Sequence, residues 1–166
     1  QWNAWMHSAG VCYDCGDWSK AASFVGSAFD LAKIRLAKNA HVRADAMAGT
    51  AWPGSPALDA PKNRHEQALV VDAIVAALAG YCTGLPQTGT PGVYAAGPVA
   101  HLRSVVSGRA APGTTLFDLV RALHPTPAVG GFPTAAALAW LAGHDERRSG
   151  WYSGGFGTLT ADGDGE

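Results

Sequence analysis

The chain has 166 residues, of which 48% are hydrophobic and 15% are charged, and its formal net charge is −1. A chain of this length buries roughly two-thirds of its unfolded surface, so it can form one domain with a core. Its small net charge provides no attraction for nucleic acid or an anionic membrane, and no apolar stretch is long enough to span a bilayer. We therefore expect a globular protein that contacts neither nucleic acid nor membrane.

The cysteine content predicts a reducing compartment. There are three cysteines, Cys12, Cys15 and Cys82, and an odd number argues against a disulfide framework. Cys12 and Cys15 have the C-x-x-C spacing of zinc and redox sites, but a zinc site needs a second pair of ligands. Only Cys82 and scattered histidines remain for that purpose, so we interpret the pair as ordinary thiols and expect a cytoplasmic protein.

The first half of the chain predicts a hairpin followed by a long helix. Two strand-like runs with interleaved basic residues lie between Ala22 and Ala48, and a Pro/Ser/Gly-rich loop follows from Thr50 to Pro61. Asp59 can cap the next helix and Pro61 suits its first turn. Its apolar positions have helical spacing up to Gly80, which is a usual C-terminal signal.

The second half alternates strands and helices without a repeat. A loop is predicted from Gly84 to Gly97, and the next elements are a strand (Val99 to Arg109), a helix (Thr115 to Leu123) and a loop (His124 to Pro133). An Ala-rich helix ending at Gly143, a strand from Trp151 to Thr160 and a turn from Ala161 to Gly165 complete the series. This irregular order favours a mixed α/β or α+β domain over a doubly wound sheet.

Charged residues open the long helix, whose remainder is almost wholly apolar. The cluster contains Lys62, Arg64, His65 and Glu66. A carboxylate near the positive end of a helix stays ionised and is a hard oxygen ligand of the kind that magnesium prefers. A solvated helix end with ordinary charge–dipole complementarity explains the same cluster, and the pattern alone favours that explanation.

The segment from Leu123 to Gly131 reads LHPTPAVGG. Its prolines stiffen the backbone, and its paired glycines allow close approach to main-chain N–H groups. Such a loop is either a rigid connector or the wall of a pocket in which His124 and Thr126 supply polar groups. The residues leave both interpretations open.

Several separated motifs, in order from about Phe24 to Glu166, resemble those of chorismate-utilising enzymes. They are LHPTPAVGG, the later R-x-GWYxG and GDGE runs, Met47 to Thr50 (similar to L-A-G-T), Arg64 to Val71 (similar to K-D-R-H-E-H-x-L-V) and His101-Leu102. Within that family, His65 and the His124 to Pro127 run resemble the isochorismate synthases. Anthranilate synthases have alanine at the position of His65, and salicylate synthases lack the H-P-T-P run.

The resemblance implies an isomerase that converts chorismate to isochorismate with Mg²⁺, for siderophore, salicylate or menaquinone synthesis. It implies that Glu66 is a magnesium ligand and that Gly49 and Thr50 hold the substrate. His101 and Ala128 then correspond to pocket residues near the ring, and we assign His101 a catalytic role. In such a mechanism, a base activates water for attack on the ring and an acid protonates the departing hydroxyl.

The chain departs from the family pattern at the general acid. The run from Phe24 to Asp30 places Asp30 where the family has a glutamate, one methylene longer, and a shift of about an ångström can cost about a hundredfold in rate. We predict that Asp30 is the acid and lies across the cleft from Glu66. Asn63 replaces a family aspartate, and Lys20 lacks the sequence context of the family's base.

These observations predict a mixed α+β chorismate-binding fold of layered sheets with flanking helices, incomplete at both ends. Residues 1–20 form an unmatched segment and residues 21–166 a partial chorismate-binding domain, which we expect to be monomeric at full length. The family's substrate arginine and second magnesium glutamate would follow Glu166. We therefore expect the 166 residues alone to bind chorismate weakly and to give no magnesium-dependent product. The alternatives are a sibling enzyme that makes salicylate or anthranilate, and a non-catalytic remnant of the family.

Overall fold

The computed structural model describes residues 34–37, 39–52, 58–143, 157–161 and 163–166. Within them, five antiparallel strands form one sheet and four helices accompany it. The strands are β1 (Ile34–Ala37), β2 (His41–Ala51), β3 (Gln87–Thr88), β4 (Gly92–Ala96) and β5 (Val99–Arg109). The helices are α1 (Pro61–Ala79), α2 (Leu116–Leu123), α3 (Pro127–Gly130) and α4 (Thr134–Gly143). The mixed α/β class predicted from the sequence is confirmed.

The long pairing of β2 with β5 is the centre of the sheet. β1 pairs with the free side of β2, while β3 and β4 pair one after the other with the free side of β5. The hairpin expected between Ala22 and Ala48 is present as β1 and β2, and its residues before Ile34 lie outside the described part of the chain. The predicted strand from Val99 to Arg109 is β5, with the same bounds.

One face of the sheet is apolar and carries the core. Side chains alternate along β2, so Val42, Ala44 and Ala46 share a face and are fully or almost fully buried. α1 lies across this face with Val70, Ile74 and Leu78 buried at helical spacing. Each large apolar side chain buried there contributes about 1.5–3 kcal/mol, and the small alanines let the helix approach the strands closely. The rest of the core comes from α2 and neighbouring strands: Leu36, Val106, Ala110, Leu116, Leu119 and Leu123.

The opposite face of the sheet, called the polar face below, carries charged residues and a histidine together with the buried Met47. Arg43, Asp45 and Met47 of β2 project there, as do His101 and Arg103 of β5, because these positions alternate with the core positions.

No helix in the described part of the chain is long and apolar enough to cross a membrane.

The start of α1 differs from the prediction. Asp59 does not cap the helix, since the N-cap residue is Ala60 and no side chain caps it. Asp59 stands one residue too early, and it contributes its backbone carbonyl to Arg64, whose Nε donates at 2.9 Å. Pro61 occupies the first turn as expected, and the helix ends at Ala79, before Gly80.

Two predicted loops contain regular structure. The segment from Gly84 to Gly97 includes β3 and β4, because β5 offers a free edge with which both can pair. The segment from His124 to Pro133 includes the short helix α3. Of the predicted strand from Trp151 to Thr160, residues 151–156 lie outside the described part, and Leu159 forms an isolated bridge with Gly165.

α2 begins with a capping box. Thr115 Oγ1 accepts from the backbone N–H of Asp118 at 3.2 Å, and Asp118 Oδ2 accepts from the backbone N–H of Thr115 at 2.9 Å. The hydrogen bonds that Thr115 donates lower the pKa of Asp118. The ionised form is therefore favoured in the folded state, and its contribution to stability is lost as the pH falls through the lowered pKa.

We predict that Thr115→Ala lowers the free energy of unfolding by about 1 kcal/mol at neutral pH, because the box is lost. Thr115→Ser keeps the hydroxyl and should retain most of the stability. Urea unfolding followed by circular dichroism measures both. The difference in the free energy of unfolding between wild type and Thr115→Ala should become smaller in acid, because Asp118 is then protonated. The same difference at every pH would contradict the capping box.

Candidate active site

A β-bulge in β2 shapes the candidate site. Ala48 pairs with Leu102 and Thr50 pairs with the adjacent His101, so Gly49 is an extra residue that has no partner on β5. Gly49 has φ of +71°, a left-handed conformation that glycine adopts without strain. Without the bulge, strand alternation would put Thr50 on the core face with Ala48. The extra residue turns Thr50 onto the polar face, beside His101.

His101 is 3% exposed and contacts both bulge residues. Its Nδ1 lies 3.3 Å from the Gly49 carbonyl oxygen and 3.2 Å from Thr50 Oγ1. A carbonyl oxygen only accepts, so the Gly49 contact assigns the hydrogen to Nδ1 and leaves the Nε2 lone pair free in the neutral ring. Burial lowers the pKa of His101, opposed by the hydrogen bond to Gly49. The ring is therefore neutral at neutral pH and can accept a proton or a hydrogen bond at Nε2.

The first two turns of α1 approach the bulge from the core face. A Cβ on Gly49 would lie 3.1 Å from Asn63 Cβ, so glycine permits this close approach. One turn later Gln67 is 2% exposed, and its Nε2 donates to the Ala46 carbonyl at 2.9 Å and to Ser104 Oγ at 3.1 Å. These contacts fix the helix start against β2 and β5.

Glu66 lies in the second turn of α1, as predicted. It precedes the buried Gln67 on the flank of the helix stripe that faces the sheet. Its side chain is 44% exposed, and Oε1 lies 3.7 Å from Lys62 Nζ, an exposed ion pair of small energetic value. The described residues contain no group of three or more His, Cys, Asp or Glu side chains that could hold a metal ion. Glu66 is the metal ligand predicted from the sequence, and the helix that carries it packs against the strand that carries the bulge.

The structure does not bring Ala128 to this cluster. Ala128 is exposed on α3, and the residues before it line a pocket of about 270 Å³ together with Ala73, Ile74 and Ala77 of α1. That part of α1 is roughly 10–17 Å further along the helix than Glu66, at 1.5 Å per residue. The assignment of Ala128 to the substrate stays a prediction. Asp30, Cys12 and Cys15 lie outside the described residues.

The sequence analysis assigned no role to three buried or half-buried polar residues near the cluster: Gln67, Asp45 and Arg103. Gln67 occupies the same helical stripe as Val70, and a polar residue on an apolar stripe signals a buried hydrogen bond. Asp45 and Arg103 sit at positions that alternate with core residues, so the pattern predicts exposure. Their pairing depends on strand register, which the sequence did not reveal.

We predict that Gly49→Ala lowers the free energy of unfolding by more than Gly113→Ala does. Both glycines have positive φ, so each substitution should cost roughly 1–2 kcal/mol for the left-handed conformation. A Cβ at Gly113 meets nothing within 4 Å, whereas at Gly49 it crowds Asn63. Urea unfolding measures the two variants side by side. An equal loss would mean that α1 does not press on the bulge.

The chain is similar to curated isochorismate synthases. It is 40% identical over 113 residues to the salicylate biosynthesis isochorismate synthase of Pseudomonas aeruginosa, covering 68% of this chain and 24% of that protein. It is 37% identical over 110 residues to the isochorismate synthase DhbC of Bacillus subtilis, covering 66% of this chain and 28% of that protein. The chain therefore spans about a quarter of the length of these relatives.

Solved structures share the fold. A Bacillus anthracis structure assigned to DhbC, a 2,3-dihydroxybenzoate-specific isochorismate synthase, matches with a TM-score of 0.72 and 29% identity, covering 81% of this chain and 39% of that one. Anthranilate synthase component I of Streptococcus pneumoniae matches with a TM-score of 0.68 and 26% identity, covering 81% and 31%. The shared fold alone does not separate the two activities.

The family model described as "Chorismate binding enzyme" matches residues 20–166. That range includes the bulge, the start of α1 and the strand that carries His101. The motifs that resembled this family in the sequence lie in the same range. The chain belongs to the chorismate-binding enzyme family.

Proposed function

We propose that this chain carries part of the chorismate site of an isochorismate synthase, which converts chorismate to isochorismate for siderophore, salicylate or menaquinone synthesis. The observation that carries the proposal is the contact of His101 with Gly49 and Thr50 at a bulge, beside the start of α1. The similar enzymes named above support this choice within the family.

The cluster suits a ligand with hydroxyl groups on a ring. Neutral His101, with its hydrogen on Nδ1, can accept a hydrogen bond at Nε2 from a substrate hydroxyl. Because the imidazole is already buried in the free chain, it loses little freedom when the ligand binds. We assign His101 the role of holding the ring hydroxyl near the reacting carbons.

The isomerisation needs one acid and one base and no redox partner. Water adds at one ring carbon while the allylic hydroxyl leaves from another and both ring double bonds shift, so the atoms and electrons balance. The acid gives its proton to the departing hydroxyl, and the base takes one from the attacking water. We propose Asp30 as the acid on the basis of its place in the family motif.

Glu66 fits magnesium only together with the substrate. Magnesium typically keeps several waters and binds through one or two carboxylates plus oxygens of the substrate. Glu66 supplies one carboxylate in the second turn of α1, and a carboxylate of chorismate can supply the next. When bound, the ion would neutralise substrate charge that is costly to remove from water.

The sibling reactions remain distinct alternatives. His65 and the His124 to Pro127 run favour isochorismate formation over anthranilate or salicylate formation. Chromatography of the product formed by the protein that contains this region separates the three. As part of the proposal, the enzyme acts as a monomer in the cytoplasm, and the free thiol of Cys82 is consistent with a reducing compartment.

We predict that chorismate and Mg²⁺ bind to this chain with mutual dependence. Calorimetric titration should show chorismate binding that Mg²⁺ strengthens at least about fivefold, with the same factor for Mg²⁺ in the presence of chorismate. Glu66→Gln removes the carboxylate and should abolish the coupling. Lys62→Met, four residues earlier on the same helix, removes the ion-pair partner of Glu66 and should preserve it.

If chorismate and Mg²⁺ still strengthen each other's binding in Glu66→Gln, Glu66 is not a magnesium ligand. Absence of any chorismate binding by the folded wild-type chain at millimolar concentrations would argue against a chorismate site in this region and favour the non-catalytic remnant.

A further inference from the structure

The polar face of the sheet holds an ion pair between a buried carboxylate and a half-buried arginine, which the proposed chemistry does not use. Asp45 of β2 is 4% exposed, and its Oδ2 lies 2.6 Å from Nη2 of Arg103 on β5. Arg43 Nε lies 3.5 Å from the other carboxylate oxygen, and that side chain is 46% exposed. Asp45 Oδ1 and Arg103 Nε are buried and have no hydrogen-bond partner in the described structure.

Stability alone does not explain this pair. Removing the Asp45 carboxylate from water costs several kcal/mol, the half-buried Arg103 loses part of its hydration, and an apolar pair of similar volume is often as stable. The pair here is joined by one short contact and leaves two polar atoms unsatisfied. A role in fixing geometry accounts for it better than a contribution to stability.

Arg103 connects the pair to the candidate site through Tyr94. Its guanidinium carbon lies 5.1 Å from the centroid of the Tyr94 ring, within the range of a cation–π contact. Directly opposite Arg103 on β4 stands Gly92, which has no side chain. The guanidinium can therefore lean diagonally over Tyr94, the neighbour on the same face of the strand.

Tyr94 is the register partner of His101. Side chains of directly opposed residues on one face have Cβ atoms about 4.5–5.5 Å apart and contact each other. His101 thus lies between Thr50 of β2 and Tyr94 of β4. Its contacts with Gly49 and Thr50, at 3.3 and 3.2 Å, are longer than the common 2.9–3.0 Å of such bonds, so they orient the ring weakly.

We propose that Asp45, Arg103 and Tyr94 form a positioning network that holds the His101 imidazole with Nδ1 toward Gly49 and Thr50. Asp45 fixes the guanidinium, the guanidinium fixes the aromatic ring, and the ring lies against the side of His101 opposite Thr50. The three are positioning residues, since they act through His101. The functional meaning of the network rests on the proposed function, but the orientation of His101 is a property of the free chain.

The test is the tautomer of His101, read from long-range ¹H–¹⁵N correlation spectra of the ¹⁵N-labelled chain without ligand. The chain has six histidines, so comparison with the spectrum of His101→Gln identifies which imidazole resonances belong to His101. In the wild type we expect a single tautomer, with Nδ1 resonating as a protonated nitrogen and Nε2 as an unprotonated one. Arg103→Met should move the two resonances toward each other, because a ring that can also turn Nε2 toward Gly49 populates both tautomers.

Arg43→Met is the matched control, because it removes the other arginine beside Asp45 and should leave the wild-type pattern. Arg103→Met leaves Asp45 buried without its close partner and can unfold the chain. The double variant Asp45→Ala/Arg103→Met removes both charges, and we expect it to fold and to show the same averaged resonances. Circular dichroism confirms folding in each case.

A wild-type tautomer pattern in the folded double variant would overturn the proposal, as would averaging of the same size in Arg43→Met. Because no ligand is present, this result is independent of chorismate binding. If the variants give the expected tautomer patterns but the chain does not bind chorismate, the positioning network stands and only the proposed function is contradicted.

Discussion

The buried amide of Gln67 is the constraint on which the candidate site depends. Its donor nitrogen reaches the backbone of β2 at Ala46 and the side chain of Ser104 on β5, so one group joins the helix to both central strands. Two hydrogen bonds in a buried setting stabilise modestly, but breaking them leaves unsatisfied polar groups at about 1–3 kcal/mol each. The helix start is therefore fixed in distance and in rotation about its axis.

The hydrogen bonds of Gln67 also explain why the bulge at Gly49 matters for the site. With α1 held at Gln67, the preceding turn places Asn63 close to Gly49, and a side chain at this position would be both crowded and strained by its positive φ. The extra residue then turns Thr50 away from the core toward His101. One small residue thus connects two faces of the sheet, the apolar face that carries the helix and the polar face that carries the imidazole. Glu66 is placed by the helix and His101 by the strand, and the bulge is where the two elements meet.

The sequence predicted the elements that have a strong local pattern. The long helix that begins at Pro61, the strand from Val99 to Arg109 and the helix that begins after Thr115 were all predicted. The capping box at Thr115 was not predicted. β3 and β4 were missed, because such short strands, flanked by prolines and glycines, form only where an existing edge offers hydrogen bonds. The Asp59 cap was wrong by one residue, a common error at helix ends. Of the site, the motifs indicated Gly49, Thr50 and His101, which the structure joins, while the partners of Asp45 depended on strand register and could not be predicted.

The most direct test of this account is the backbone amide spectrum of Gln67→Met, which keeps the side-chain length and removes the hydrogen bonds. We predict that the amide resonances of Gly49, Thr50 and His101 shift markedly, because the helix start is released from the bulge, while that of Leu119, in the core contributed by α2, stays in place. Unchanged resonances at the three site residues, in a variant that has lost both hydrogen bonds, would contradict the claim that this amide sets the geometry of the site.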